Sequence, residues 1–229
     1  MRPVRKKLYP WDPYEGFDRE RHPADLQGWG SKHQFFEPLL RFTRPETVIE
    51  VGSWKGASAI HMAGVCRAQG FDAEIVCVDT WLGSPENLLD RAKGGFASLR
   101  HQNGYPSLYY TFMANVVQAG FADRITPLPM ASESAAVVLE KLSVEADLIY
   151  IDAAHEYEPA LRDMKAFWPL LRPKGVMVMD DYGRAGVTAA ACEFAASVGR
   201  PLYASYGKAF VPKAANTQVS LTLDRIEAV

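Results

Sequence analysis

The chain has 229 residues, 48% hydrophobic and 23% charged, enough for one α/β domain with a full core. Its net charge of −2 at pH 7 excludes the basic footprint of a nucleic-acid binder. No apolar run reaches the ~18 residues a membrane helix needs, and the N-terminus lacks the apolar stretch of a secretory signal. The cysteines Cys66, Cys77 and Cys192 show no CxxC spacing and read as thiols of a reducing compartment, so a cytoplasmic protein without nucleic-acid or membrane partners is expected.

Residues 1–30 are rich in Pro, Trp, Tyr, Gly and charge without periodicity and read as an irregular arm, with Arg2, Arg5, Lys6 and Lys7 as a solvated end. A helix follows within 31–43, where Phe35, Phe36, Leu39, Leu40 and Phe42 share one side. This arm and helix (1–44) lead into a core at 45–229, the whole forming one domain. The apolar run TVIEV is a strand, followed by a glycine-containing turn and a helix over 57–69 that Gly70 ends. A second strand, 74–78, stops at Asp79. Residues 81–120 lack strand character and, with the arm, are expected to form a lid and acceptor pocket. Strands return at 124–128 and 147–151, then a helix at 157–171, a Pro-Lys-Gly turn, and a strand at 176–179. A helix at 185–198 and strands near 201–212 and 217–223 complete the chain. Apolar strands alternating with helices specify a parallel sheet covered on both faces, which binds ligands at the carboxyl ends of its strands.

Those ends carry the chemistry. After the first strand comes EVGSWKGAS, in which Gly52 and Gly56 permit a tight turn and close ligand approach, or serve packing alone. GxGxxG and the GK[ST] ending of a phosphate loop are absent, which points to a nucleoside-like ligand without a pyrophosphate, and Glu50 suits a cationic group on it. Asp79 can accept from two ribose hydroxyls, with Trp81 offering a flat surface to an adenine, or it can cap the next segment. Two neighbouring strands end in Asp152 and in Asp180-Asp181, with Arg184 the nearest basic residue along the chain. Three acids at one rim call for a hard divalent cation such as Mg²⁺; alternatively the pair caps a loop and faces water. His155 is either a loop histidine or a proton acceptor working near neutral pH.

Together these residues resemble the class I S-adenosylmethionine-dependent methyltransferases, and within them the metal-dependent O-methyltransferases that include catechol O-methyltransferase and macrocin-type sugar methyltransferases. The similarity spans about residues 45–183 and is most specific in IDAAHEYEPALRDMKAFWPLLRPKGVMVMDDYG. It implies a Rossmann-like, doubly wound, mostly parallel seven-stranded sheet. It further implies that Glu50, Gly52 and Ser53 line the methionine part of the cofactor beside Gly56, that Asp79 holds its ribose next to Thr80 and Trp81, and that Ser132 and Glu133 lie by its adenine. Asp152, which also borders the cofactor, falls with Asp180 and Asp181 on the metal-ligand positions. His155 stands where catechol-type enzymes carry a catalytic lysine, while Ala154 replaces an acid common in sugar-specific members. The expected reaction is methyl transfer to a hydroxyl of a small molecule, a sugar or catechol-like diol, with a homo-oligomer left open. A nicotinamide-dependent oxidoreductase is opposed by the missing GxGxxG and TyrxxxLys patterns. A non-catalytic nucleoside-binding protein is opposed by the acid trio and His155.

Overall fold

A computed structural model describes residues 1–92, 94–205, 207–214 and 227–228. The elements run α1 (Pro3–Leu8), α2 (Phe36–Thr43), β1 (Thr47–Val51), α3 (Ala57–Ala68), β2 (Glu74–Asp79), α4 (Pro85–Leu89), α5 (Gly95–Ser98), α6 (Leu108–Gln118), β3 (Ile125–Pro129) and α7 (Ser132–Lys141). They continue with β4 (Ala146–Ile151), α8 (Tyr157–Phe167), β5 (Leu171–Met179), α9 (Ala185–Val198), β6 (Tyr203–Ser205), β7 (Lys208–Pro212) and β8 (Glu227–Ala228). The sheet order is β3-β2-β1-β4-β5-β7-β6-β8. Seven strands form the doubly wound sheet expected from the sequence, and the two-residue β8 adds to the β6 edge. β7 runs antiparallel to β5 and β6.

The single late strand expected over 201–212 is instead the β6–β7 hairpin. The strand expected at 217–223 lies outside the described residues.

Alternation along the buried strands divides the core in two. Val48, Ile75, Leu148, Tyr150 and Val178 face a layer with α2, α3 and α6. Ile49, Val51, Val76, Ile149 and Met179 face a layer with α7, α8 and α9. α6 buries Leu108, Phe112, Met113 and Val116 in the first layer, so it is a core helix and not the lid the sequence suggested. Among the described residues of that region, those around 83–87 border the central cavity.

The N-terminal end also departs from expectation. Glu74 carboxylate oxygens accept from the backbone N–H of Val4 and Arg5, both at 2.8 Å, which starts α1 against the sheet. The Arg5 guanidinium is buried and donates to Thr126 Oγ1 and to the carbonyls of Ala122 and Ile125, so this arginine is a structural bolt and not part of a solvated tail.

The chain passes outward from β1 to β2 and β3, then returns to β4 on the other side of β1. This reversal is the topological switch point, where a crevice opens at the strand ends. Register fixes what meets there. Val51 pairs with Ile151, Ile151 with Met179, and Met179 with Ala209. One step beyond the pairs, Gly52, Asp152, Asp180 and Lys208 therefore stand in a row along the sheet edge.

Candidate active site

A cavity of about 880 Å³ lies over this row, walled by the turns after β1, β2, β4 and β5 and roofed by residues 28–33 and 83–87. That volume is ample for a nucleoside-sized ligand and an acceptor.

The turn after β1 is shaped by its glycine. Gly52 has φ +86°, and a Cβ there would lie 1.9 Å from the Asp152 carbonyl oxygen, so only glycine lets β1 and β4 end so close together. Next to it the Ser53 hydroxyl is buried, yet among the described residues its oxygen has no hydrogen-bond partner of good geometry. The Glu50 carboxyl and the Cys77 thiol lie near it, and a polar ligand bound at this cavity wall would complete its hydrogen bonding. Asp79 is held on both oxygens: Oδ2 accepts from Trp54 N at 2.8 Å and Oδ1 from Trp81 N at 2.7 Å. Burial still raises its pKa above the usual carboxylate value, against the opposing pull of these backbone donors. Asp79 and Thr80 both line the cavity, as does Ser132, whose hydroxyl donates to Asp163 at 2.5 Å.

Four residues expected to contact the cofactor stand elsewhere. Glu50 is fully buried beneath the turn, accepting from Ser58 Oγ at 2.5 Å, and burial pushes its carboxyl up to about 7. Gly56 (φ +83°) packs against the Phe112 ring, 2.9 Å from where its Cβ would be, and so serves the fold. Trp81 is only 1% exposed, wedged against Tyr109 and Phe112 with its indole N–H donating to the Trp54 carbonyl. It offers no free face to an adenine. The Glu133 side chain points outward to Arg162, 2.5 Å away.

At the ends of β4 and β5 the acids are not left uncompensated. Lys208 Nζ lies 2.6 Å from Asp180 Oδ2 and donates to the Tyr150 hydroxyl at 2.8 Å. That hydroxyl contacts Asp180 and lies 3.1 Å from Asp152 Oδ2. Burial, and then the nearby Asp180 charge, hold the Asp152 carboxyl well above its ordinary pKa, with Lys208 opposing the shift. Asp181, at φ +53°, uses its oxygens differently: His155 Nε2 is 2.8 Å from Oδ2 and Arg184 Nε is 3.3 Å from Oδ1. The hydrogen bond to Asp181 raises the His155 pKa against the effect of burial, while that same bond lowers the pKa of Asp181. Arg184 Nη1 also approaches His155 Nδ1 at 3.2 Å.

The divalent-ion site expected from Asp152, Asp180 and Asp181 does not fit this arrangement. The lysine that neutralises the acids is distant in sequence and near in space, and Asp181 is engaged with His155 and Arg184. Among the described residues no three acid, histidine or cysteine side chains are placed to share one ion. Lys208 and Tyr150 are the functional candidates that sequence reasoning missed. The available signal was a polar group inside each of two apolar strands, DLIYID and GKAFVP.

Residues 49–182 match the family described as Methyltransferase domain, a stretch covering more than half of the chain. The chain belongs to this family. It is an S-adenosylmethionine-dependent methyltransferase. Among solved structures, it is similar to the O-methyltransferase NovP at 17% identity and TM-score 0.59, over 80% of each chain. It is also similar to the O-methyltransferase from Bacillus cereus in complex with SAH, at 17% identity and TM-score 0.56, over 92% of this methyltransferase and 95% of that chain. CalS11, a calicheamicin methyltransferase, aligns at 21% identity and TM-score 0.56, over 78% of this chain and 77% of its own. At such identities the likeness concerns the fold. A search of curated proteins finds no match. Among the described residues no helix is long and apolar enough to cross a membrane.

Proposed function

We propose that this methyltransferase transfers the methyl group to a hydroxyl of a small acceptor such as a sugar or a phenol. The observation carrying this reading is the polar chain Asp152–Tyr150–Asp180–Lys208 set directly beside the Gly52 turn. A donor-and-acceptor surface of this kind orients a hydroxylated molecule. The names of NovP and of the Bacillus cereus protein, both O-methyltransferases, agree with it.

In this reading Gly52 and Ser53 hold the methionine part of S-adenosylmethionine, Asp79 accepts from the ribose hydroxyls, and Ser132 borders the adenine. Glu50 supports the turn from beneath through its hydrogen bond from Ser58. Bound there, the cofactor supplies a methyl carbon already activated by its sulfonium, so no covalent enzyme intermediate is needed. The work of the protein is alignment, which can contribute up to about 7–11 kcal/mol, and removal of one proton. With the cofactor bound, the O–C bond would form as the C–S bond breaks to a neutral thioether, and the acceptor proton would pass to Nδ1 of neutral His155, whose Nε2 faces Asp181. Asp181 orients the imidazole and stabilises the imidazolium, a second group fixing the base as in other paired-residue sites. No step is assigned to a divalent ion.

The test is titration calorimetry with SAH, followed by transfer of labelled methyl to a panel of sugars, phenols and diols, with products located by NMR. Label found only on nitrogen or carbon would overturn the assignment to oxygen. Absence of SAH binding would overturn the placement of the cofactor.

A further inference from the structure

Resting on that reading, we propose that Lys208 itself supplies the positive charge beside the acceptor oxygen, so that this methyltransferase works without a divalent ion. The argument starts from register. β7 runs antiparallel to β5, so its first residue, not its last, arrives at the sheet edge that carries the strand-end acids. Lys208 is that first residue, and its ammonium meets Asp180 and the Tyr150 hydroxyl at 2.6 and 2.8 Å. Tyr150 links the same charge to Asp152.

Charge balance follows from these partners. Asp181 is matched by Arg184 and His155. The remaining acids, Asp152 and Asp180, face one buried ammonium. A divalent ion bound there would have to share their oxygens with it at like-charge cost.

The arm also passes over the pair: a Cβ on Gly30 would lie 3.5 Å from Lys208 Nζ and 3.9 Å from Asp180 Oδ2, ordinary contact distances.

A lysine can do the electrostatic part of the ion's task. Its ammonium is directed to Asp180 and Tyr150 and lies 5.6 Å from the Phe36 ring centroid, and in this proposal its third N–H would meet an oxygen entering the cavity that Lys208 borders. As the acceptor's proton moves to His155 ahead of O–C bond formation, negative charge gathers on that oxygen. A preorganised N–H⁺ offsets it. This changes the acceptor class. An ion favours two neighbouring oxygens that chelate it, whereas an ammonium donates single hydrogen bonds, so one hydroxyl suffices and a vicinal diol is not required.

The experiment uses Mn²⁺ as the probe, titrated into the 229-residue chain with and without SAH and followed by electron paramagnetic resonance. The wild type should show no specific Mn²⁺ site. Lys208→Ala, which frees the carboxylates, should raise Mn²⁺ affinity by about tenfold or more, the change expected when ion and ammonium compete for the same oxygens. Lys208→Arg should leave the affinity as in the wild type. Should the alanine variant fail to fold, Lys208→Gln keeps a donor toward Asp180 while removing the charge, and should show the same gain. A wild-type Mn²⁺ site overturns the proposal. So does a folded Lys208→Ala or Lys208→Gln that gains no affinity. SAH binding, measured on the same samples, reports separately on the methyltransferase reading. Its failure would remove the cofactor placement while leaving the Mn²⁺ comparison interpretable.

Discussion

Replacing Lys208 by methionine tests the ion pair at the sheet edge through stability alone. The two side chains are 2% and 14% exposed, and their charges lie 2.6 Å apart, so Lys208→Met leaves the Asp180 carboxylate buried without its counter-charge. Breaking one side of such a pair costs about 3–5 kcal/mol, because the surviving charge keeps its desolvation penalty and loses its partner. In a chain of this length each kcal/mol moves the melting temperature by about 2–4 °C, so Tm should fall by about 6–20 °C at neutral pH. Asp180→Asn in the same background removes the orphaned charge and should recover most of the loss. Thermal unfolding of the wild type, the two single variants and the double variant forms a complete cycle. A Lys208→Met loss below about 1 kcal/mol, the range of exposed pairs, or a double variant no better than the single one, would refute the pairing.

Three further outcomes check other parts of the site. Gly52→Ala places a Cβ where the Asp152 carbonyl stands, at a φ of +86° costing a side chain about 1–2 kcal/mol by itself, and should abolish SAH binding in a thermal-shift titration; wild-type binding would exclude the cradle. The rate should fall as pH drops through the His155 pKa, which Asp181 holds above the ordinary histidine value, so Asp181→Asn should move the midpoint of the pH–rate profile downward and His155→Ala should remove that limb; a profile identical in all three proteins would discard His155 as the base. Glu50 binds its proton more tightly folded than unfolded, so its burden is absent below the unfolded value of 4.5 and fully present above about 7. Glu50→Gln should therefore remove about 3 kcal/mol of pH-dependent destabilisation across that window in denaturant melts, and an unchanged pH dependence would contradict the burial argument.

The order of strands and helices, the doubly wound sheet and the positions of the strand-end residues were legible in the sequence because they follow from local periodicity and from the acids and glycines that punctuate apolar runs. EVGSWKGAS and the pair of strands ending at Asp152 and Asp180 mark the sheet edge over which the cavity lies. What a single strand could not reveal was its neighbour. Trp81 looked available because it follows a strand, but Tyr109 and Phe112 of α6 pack on its ring and its indole N–H donates to the Trp54 carbonyl. Arg5 looked solvated because it sits in a basic end, but Glu74 and three acceptors near β3 receive that end. The acid trio looked uncompensated because its cation is 58 residues from Tyr150 along the chain, delivered by an antiparallel strand whose register no local pattern encodes. Periodicity determines which residues face inward, and that much is a property of the chain alone. Electrostatic balance depends on distance in space across paired strands, and only the tertiary structure decides it.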